Sequence, residues 1–526
     1  MAPIPRSLPG ILAPCKIPRR GLTIATTPCA VFFAPVTHGA SPYSHRGLRT
    51  TTTRSASTST STSTSTSTST STRSLHSSSN HSSPSGHLTL NGPVDLPPEH
   101  QLAKMAQSAP LAVLPLTNVL RSLMTATVSS SPLLLPPSLA MMSILANTAN
   151  PALNPDRNPI LRFFLKKTFY AQFCAGENAP EVRRTIESLQ RIGFGGVILG
   201  YAKEVVLTDA QMKDLSSCGS GAAAEECVRN EITPWANGTI ETVLLASPGD
   251  FVALKFTGAG RQALHALSQR LPPSDALASA IDGICQLAAS RGVRLLLDAE
   301  QQALQPGIDD WSLGYMRKYN TPDNAVVYGT YQAYLKSTPS TLSRHLAVAR
   351  EGGFALGVKL VRGAYLGSDP RHLMHDTKAD TDVAYDGVSE ALLRQQWNAQ
   401  LQPPQTQGDK TASFPSVSVV LATHNRESVL KAQAILSTCK VDTEVAFAQL
   451  QGMADEVSCE LATSARTGET PRAYKYLVWG STGECMKYLL RRAYENRDAV
   501  QRTRAGRDAM RAELFRRVKC LFGFAK

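Results

Sequence analysis

The sequence predicts an α/β fold, a (β/α)8 barrel with an N-terminal helical arm and a disordered leader, and three observations carry that prediction. Eight short runs rich in β-branched and aliphatic residues recur between residues 195 and 481 of the 526-residue chain. The runs are continuously apolar and separated by helical patterns, as parallel strands covered by helices are. Polar and charged side chains gather where the runs end, which is where a barrel of this kind carries its functional groups.

Three segments follow from composition: a leader over 1–94, a helical arm over 95–190 and the barrel over 191–526. The leader has no acidic residue before Asp95 but carries Arg6, Lys16, Arg19, Arg20, Arg46, Arg49, Arg54 and Arg73. It therefore holds most of the net +13. An Arg-rich, Ser/Thr-rich, acid-free start predicts a mitochondrial transit peptide. Its Ser-Thr alternation over 57–72 has no apolar surface to bury and predicts disorder. Because the charge sits mainly in this leader, the basic balance does not imply nucleic acid. The ten cysteines show no CxxC pair and no spacing suited to zinc, so no metal site is expected.

In the arm, "PLAVLPLTNVLRSLM", "NPILRFFLKKTFYAQFCAG" and "APEVRRTIESLQRIG" have apolar periodicity, the last with a glycine stop. Between Arg121 and Asp156 the chain is uncharged but interrupted by Ser, Thr, Asn and Pro. No segment reads as a membrane span; packing on the barrel is expected there, with peripheral contact with a membrane surface as the second reading.

The eight runs are 195–202, 251–258, 293–300, 325–333, 354–364, 417–425, 443–453 and 474–481. The second carries Lys255 near its end, the third closes on Asp298 and Glu300, and the fourth reaches Gln332. The fifth leads into Arg362, Gly363 and Tyr365, the sixth ends in His424 and Asn425, the seventh near Gln449, and the eighth carries Tyr476. A lysine inside an apolar strand, or Gly-Ala-Tyr after one, exceeds what a merely wet strand end would need.

"GAGRQA" (258–263) has the form of a dinucleotide loop, but the acidic residue expected about 20 positions on is missing at a strand end. Asp275 is nearer, at a helix start where capping accounts for it. His424 lacks a second ligand at helical spacing. The basic stretch "NRDAVQRTRAGRDAMRAELFRRVK" lacks stacking aromatics and reads as a solvated helix face, so no nucleic-acid partner is expected.

In "YLLRRAYEN" (488–496), Arg491 and Arg492 are adjacent on a helix and Glu495 lies within one turn of both. Spacing alone leaves two readings open. One is a solvated ion pair of about 0.3–0.5 kcal/mol; the other is a bidentate clamp for a carboxylate, beside Tyr365, Tyr476 and Tyr488.

"KLVRGAYL", "ATHN", "QLQGMADEVS" and "YLLRRAYEN", in this order, resemble proline dehydrogenase, the mitochondrial flavoenzyme family of proline catabolism. "FYAQFCAGEN" and "GVILGYAKE" resemble its fungal and other eukaryotic members, and the likeness runs from about residue 110 to the end. The resemblance implies the same barrel, FAD as cofactor and oxidation of L-proline to Δ1-pyrroline-5-carboxylate, with hydride passing from C5 to flavin N5. It places Lys255, Asp298, Tyr476, Tyr488, Arg491 and Arg492 against the substrate. It places Gln332, Lys359, Val361, Gly363, Ala364, Tyr365, Thr377, Lys378, His424, Asn425, Gln449, Leu450 and Glu495 against FAD. It further implies a quinone acceptor, peripheral contact on the matrix side of the mitochondrial inner membrane, and a separate pyrroline-5-carboxylate dehydrogenase downstream.

Two departures stand out: Lys359 replaces an arginine of bacterial members, and "YLVWGS" lacks the family's usual proline. The rival expectations are a flavoenzyme for hydroxyproline or another cyclic amino acid, and a non-catalytic membrane-associated barrel.

Overall fold

Eight parallel strands close into a barrel in the computed structural model, which describes residues 109–523 except 149, 203–214, 216–217, 219–220, 368, 405–412, 440–442, 467–470 and 498–499, and no side chain at 466 or over 495–502. The chain divides into two units, Met1–Thr89 and Leu90–Lys526, and every described residue belongs to the second. The expectation of a disordered transit leader over 1–94 lies outside the described residues.

The strands are β1 (Cys174–Gly176), β2 (Gly196–Tyr201), β3 (Phe251–Leu254), β4 (Arg294–Leu297), β5 (Val327–Gln332), β6 (Leu356–Val361), β7 (Val417–Ala422), β8 (Val445–Leu450) and β9 (Ala473–Trp479). β2 to β9 pair in chain order, and β9 pairs back onto β2 through Gly196↔Tyr474 to Tyr201↔Trp479. Each of the eight apolar runs coincides with one barrel strand, the last strand beginning one residue before its run at Ala473. The second run is shortened because the chain leaves β3 at Leu254 for a 3-10 turn, Phe256–Ala259, which buries Phe256 edge-on against Trp311. β1, absent from the sequence reading, is a three-residue addition whose Cys174 and Gly176 pair with the end of β9.

Period-two alternation sorts the strand residues into two cores. Outward residues such as Val197, Leu295, Val358, Leu360 and Phe447 join the helices in the main core. Inward residues Ile198, Phe251, Ala253, Leu296, Tyr328, Val420, Ala446, Ala448 and Tyr474 fill the lumen. The lumen's N-terminal end is plugged by Arg294, whose guanidinium lies 3.9 Å from the Phe251 ring centroid and hydrogen-bonds Tyr474 at 3.2 Å. Space here is tight: a Cβ on Gly357 would stand 2.3 Å from Val327 O and 2.8 Å from Tyr328 Cα.

Local signals set the helices. In Ala179–Ile192, Asn178 accepts the Glu181 N–H, Gly193 ends the helix at φ 114°, and Val182, Ile186, Leu189 and Ile192 make the buried stripe. The arm holds helices Leu116–Ser130 and Leu135–Asn147 and a continuous helical run over 159–173 with a π turn at Lys166–Tyr170. The last helix, Val500–Leu521, packs along Leu116–Ser130. That contact buries Met510 and Glu513, so this basic helix is a packed element and not only a solvated face.

Gly357→Ala forces β5 and β6 apart at backbone atoms that cannot step aside. It is expected to destabilise the barrel by about 3 kcal/mol, the upper range for overpacking, seen as a lowered Tm.

Candidate active site

Four ionisable groups meet at the C-terminal mouth because alternation points them inward above the apolar lumen. Lys255 continues the inward series Phe251, Ala253; Asp298 and Glu300 continue Leu296; Lys359 follows Gly357. Lys359 Nζ donates to Asp298 Oδ1 at 2.6 Å, and Tyr476 OH donates to Asp298 Oδ2 at 2.9 Å. The Lys359 ammonium also lies 5.2 Å from the Tyr476 ring centroid. Burial pushes the Asp298 carboxyl up, but the charges of Lys359 and Lys255 and the two hydrogen bonds outweigh it and hold its pKa below the usual value. Burial raises the Tyr476 hydroxyl well above its ordinary range, and Asp298 adds to the rise.

Glu300 is a buried neighbour that the sequence reading noted at a strand end but gave no role. Its carboxylate accepts the Thr257 N–H at 3.2 Å and the Thr257 hydroxyl, while its own N–H donates to Gln305 Oε1 at 2.9 Å. Burial raises its pKa, opposed first by the charge of Lys255.

Above this floor, "RGAY" turns over the mouth. Gly363 has φ 157°, and a Cβ there would meet the Tyr334 ring at 2.4 Å, so the chain passes flat against that ring. The Ala364 N–H donates to Gln332 Oε1 at 3.0 Å, which fixes the amide's orientation, and Val361 ends β6 with inward parity. Burial raises the Tyr365 hydroxyl, with the Lys255 and Arg491 charges pulling the other way.

The remaining wall is the helix Thr482–Arg497. Tyr488 is buried, and the Arg492 guanidinium lies 5.6 Å from its ring centroid. Arg491 acts electrostatically on Tyr365 and Arg492 on Tyr476, so both cations face the mouth. The arm holds this helix in place. Thr482 N–H donates to Glu177 Oε1 at 3.0 Å, and Gly483 N–H to Asp156 Oδ1 at 2.8 Å. Burial would raise the Glu177 carboxyl, but Arg162, Lys166 and Thr482 lower its pKa to about 2. Neither acid was legible as a cap, since each lies more than 300 residues before its partner.

Lys255, Asp298, Gln332, Lys359, Val361, His424, Leu450 and Tyr476 thus share the inward face of the strand ends, and Gly363, Ala364, Tyr365, Tyr488, Arg491 and Arg492 sit above them. His424 Nε2 accepts the Leu450 N–H at 3.1 Å, so the neutral ring carries its proton on Nδ1. Other expected residues are occupied locally. Asn425 caps the helix Arg426–Thr438 by accepting the Ser428 N–H. Thr377 forms a capping box with Asp380, and Lys378 pairs with Asp382 at 2.6 Å on an exposed surface. Gln449 has the outward parity of Phe447, and its amide donates to Thr423 O at 3.3 Å. The Glu495 side chain lies outside the described residues. Asp275 is the first residue of its helix, after Ser274 at the cap position. At "GAGRQA" the Arg261 N–H is taken by Glu231 at 2.6 Å, a carboxylate where a phosphate would have to sit.

A flavin fits the orphaned group here. Gln332 is buried, and its Nε2 has no hydrogen-bond partner among the described residues. An isoalloxazine edge offers carbonyl acceptors, the kind of group this amide lacks.

The proline dehydrogenase family model matches residues 182–505. The chain is 32% identical over 403 residues to a probable mitochondrial proline dehydrogenase of Schizosaccharomyces pombe, covering 69% of this chain and 81% of that protein. It is 29% identical to a hydroxyproline dehydrogenase of Xenopus laevis, covering 67% and 78%. Among solved structures it resembles proline utilization A from Bdellovibrio bacteriovorus inactivated by N-propargylglycine, with 17% identity and a TM-score of 0.51. That match covers 68% of this chain and 36% of the other, and the fold is what it shares.

Because Asp298 ionises more readily folded than unfolded, its contribution is complete above the ordinary carboxylate pKa of about 3.9 and disappears as pH falls through the lower folded value. Asp298→Asn leaves the Lys359 ammonium buried without its counter-charge. Urea unfolding is expected to show a loss of about 3–5 kcal/mol at pH 7, with the gap to the unsubstituted protein narrowing below about pH 4.

Proposed function

The chain belongs to the proline dehydrogenase family, an oxidoreductase family with mitochondrial members, and on that premise we propose that its mouth binds FAD and L-proline together. The observation that carries this reading is the convergence of Arg491 and Arg492 on a tyrosine-walled space above a buried Lys–Asp floor. Two adjacent guanidinium groups supply the paired donors a carboxylate needs. Tyr476 and Tyr488 supply flat walls for a five-membered ring, and Lys255 adds a third cation at the same end.

FAD, when bound, supplies a hydride acceptor at N5. Gln332, the Val361–Tyr365 turn, Lys359, His424 and Leu450 would hold its ring system, with Asn425, Gln449 and Glu495 at the margin. Thr377 and Lys378 would meet its phosphate or adenine end, exchanging their present local partners for it. The chain's own contribution is orientation: the clamp fixes the carboxylate, the tyrosines fix the ring, and C5 is thereby held at one distance from the flavin face. Lys359 keeps a positive charge near the flavin without the planar fork of an arginine. The ring nitrogen loses its proton to solvent. Electrons leave to a quinone, and the enzyme works at the matrix side of the inner membrane, handing pyrroline-5-carboxylate to a separate dehydrogenase. The leader over 1–94 acts as the import signal for the helical arm and barrel.

An anaerobic visible spectrum tests the reading. A bound flavin that bleaches on adding L-proline is expected; bleaching by 4-hydroxyproline alone would move the substrate to that of the Xenopus laevis relative. A folded protein without flavin would overturn the assignment of the mouth. Arg491→Ala and Arg492→Ala are each expected to lower kcat/KM for proline roughly 30-fold, from about 2 kcal/mol lost with one partner of a desolvated charge pair. Gln332→Leu should reduce flavin content without unfolding the barrel.

A further inference from the structure

Four helices outside the barrel show solvent an apolar stripe at helical spacing. On Leu116–Ser130 it is Leu116, Leu120 and Met124, and on Leu135–Asn147 it is Met141 and Ile144, with Leu133 and Leu134 just before. On Pro159–Leu165 it is Ile160, Phe163 and Phe164, with Phe163 and Phe164 58% and 62% exposed. On Val500–Leu521 it is Phe515, Val518 and Leu521, with Phe522 following. The opposite faces are already used: Leu139, Met142 and Leu145 are buried, as are Val119 and Met510. These are second faces left over after packing, and periodic stripes on adjoining helices differ from singly scattered surface apolar residues.

The four helices belong to one joined region. Val500–Leu521 packs along Leu116–Ser130, and Arg517 donates to Leu114 O at 2.8 Å and Leu111 O at 3.1 Å. Leu135–Asn147 and the π turn after Pro159–Leu165 both pack on Thr482–Arg497, the helix that carries the arginine clamp.

We propose that these stripes form one docking face for an anionic lipid bilayer; this deepens the membrane contact of the reading above by saying which residues make it. Charge selects the occupant. Residues 109–172 carry Arg121, Arg157, Arg162, Lys166 and Lys167 against Asp156 alone, and Val500–Leu521 carries six arginines and Lys519 against Asp508 and Glu513. A second copy of the same face would oppose like charges, whereas anionic headgroups neutralise them. On two stripes a basic side chain also lies over an exposed phenylalanine, Lys167 at 5.9 Å from Phe163 and Arg511 at 5.6 Å from Phe515. Such an arrangement lets the ring enter the acyl boundary while the cation reaches the headgroups. No single helix among the described residues is long and apolar enough to cross the bilayer, and Leu116–Ser130 and Leu135–Asn147 bend by 105° where they meet. Each of these two helices also buries its other face in the protein, Val119 on the first and Leu139, Met142 and Leu145 on the second, which suits stripes that rest on the membrane.

Flotation of the full chain with vesicles of phosphatidylcholine and phosphatidylglycerol tests this, beside vesicles of phosphatidylcholine alone. The protein is expected to float with the anionic vesicles. The double variants Phe163→Glu/Phe164→Glu and Leu521→Glu/Phe522→Glu should each lower partitioning roughly a hundredfold. The leader is present in every sample, so its own charge cannot account for the difference. All three proteins should reduce a soluble dye with proline equally, which shows that the variants fold. Equal flotation of variants and parent would overturn the proposal, as would a parent that stays behind. A dimer lost in the variants, without flotation, would give the face to a second copy and also overturn it. Absence of dye reduction in the parent bears on the substrate reading alone, since flotation is scored separately.

Discussion

The buried ion pair between Lys359 and Asp298 is the interaction around which the mouth is organised. A charge at this depth is tolerable only with its partner and further hydrogen bonds in place. Tyr476 supplies one of those bonds, and Lys255 adds a second positive charge close by. The pair therefore fixes a lysine of β6, the Asp298 turn after β4 and a tyrosine of β9 at one height, like a floor joining three sides of the barrel. Below it the lumen is filled with apolar side chains; above it Tyr365, Tyr488 and the two arginines enclose the space that remains. Glu300 belongs to the same layer. Burial pushes both carboxyls up and prevails at Glu300, whereas at Asp298 the charges of Lys359 and Lys255 and the hydrogen bonds outweigh it, so two acids two residues apart in sequence are shifted in opposite directions.

Much of this was legible in local pattern. Continuous apolar runs locate strands because both faces of a barrel strand are buried, and all eight runs coincide with one, the last but for its strand's first residue. Lys255, Asp298 and Gln332 were legible at strand ends, where inward parity runs to the last strand residue or one past it, whereas Lys359, inside its strand, was reached through the family resemblance alone. The same rule separates Gln449 from that set, since Phe447 shares its outward parity. What could not be read is what depends on a distant partner. β1 has three residues and exists by pairing with β9, and the caps at Thr482 and Gly483 come from the arm. Asn425, Thr377 and Lys378 show the converse: each has a helix-terminal task that its own neighbours explain.

The arm is thus part of the site without touching it. Asp156 and Glu177 place negative charge at the N-terminus of the helix whose later turns carry Arg491 and Arg492, where helix electrostatics favour it. Arg162 and Lys166 keep Glu177 ionised and oriented, so an ion-pair network on the arm sets the entry of the arginine helix. The helices that face solvent with apolar stripes are the same ones that hold this network or pack on that helix.

The contact between Glu177 and Thr482 spans 305 residues of chain. A ribosome, or an import pore passing the chain from its N-terminus, delivers Glu177 long before Thr482 exists to meet it. Until the eighth barrel strand is laid down and the last helices arrive, the arm's acids have only their own lysine and arginine neighbours. Closure of the sheet and completion of the arginine helix consequently coincide as one late, long-range event of biogenesis. A partly made chain has strands and an arm but no site, so competence for chemistry arrives only with the finished molecule.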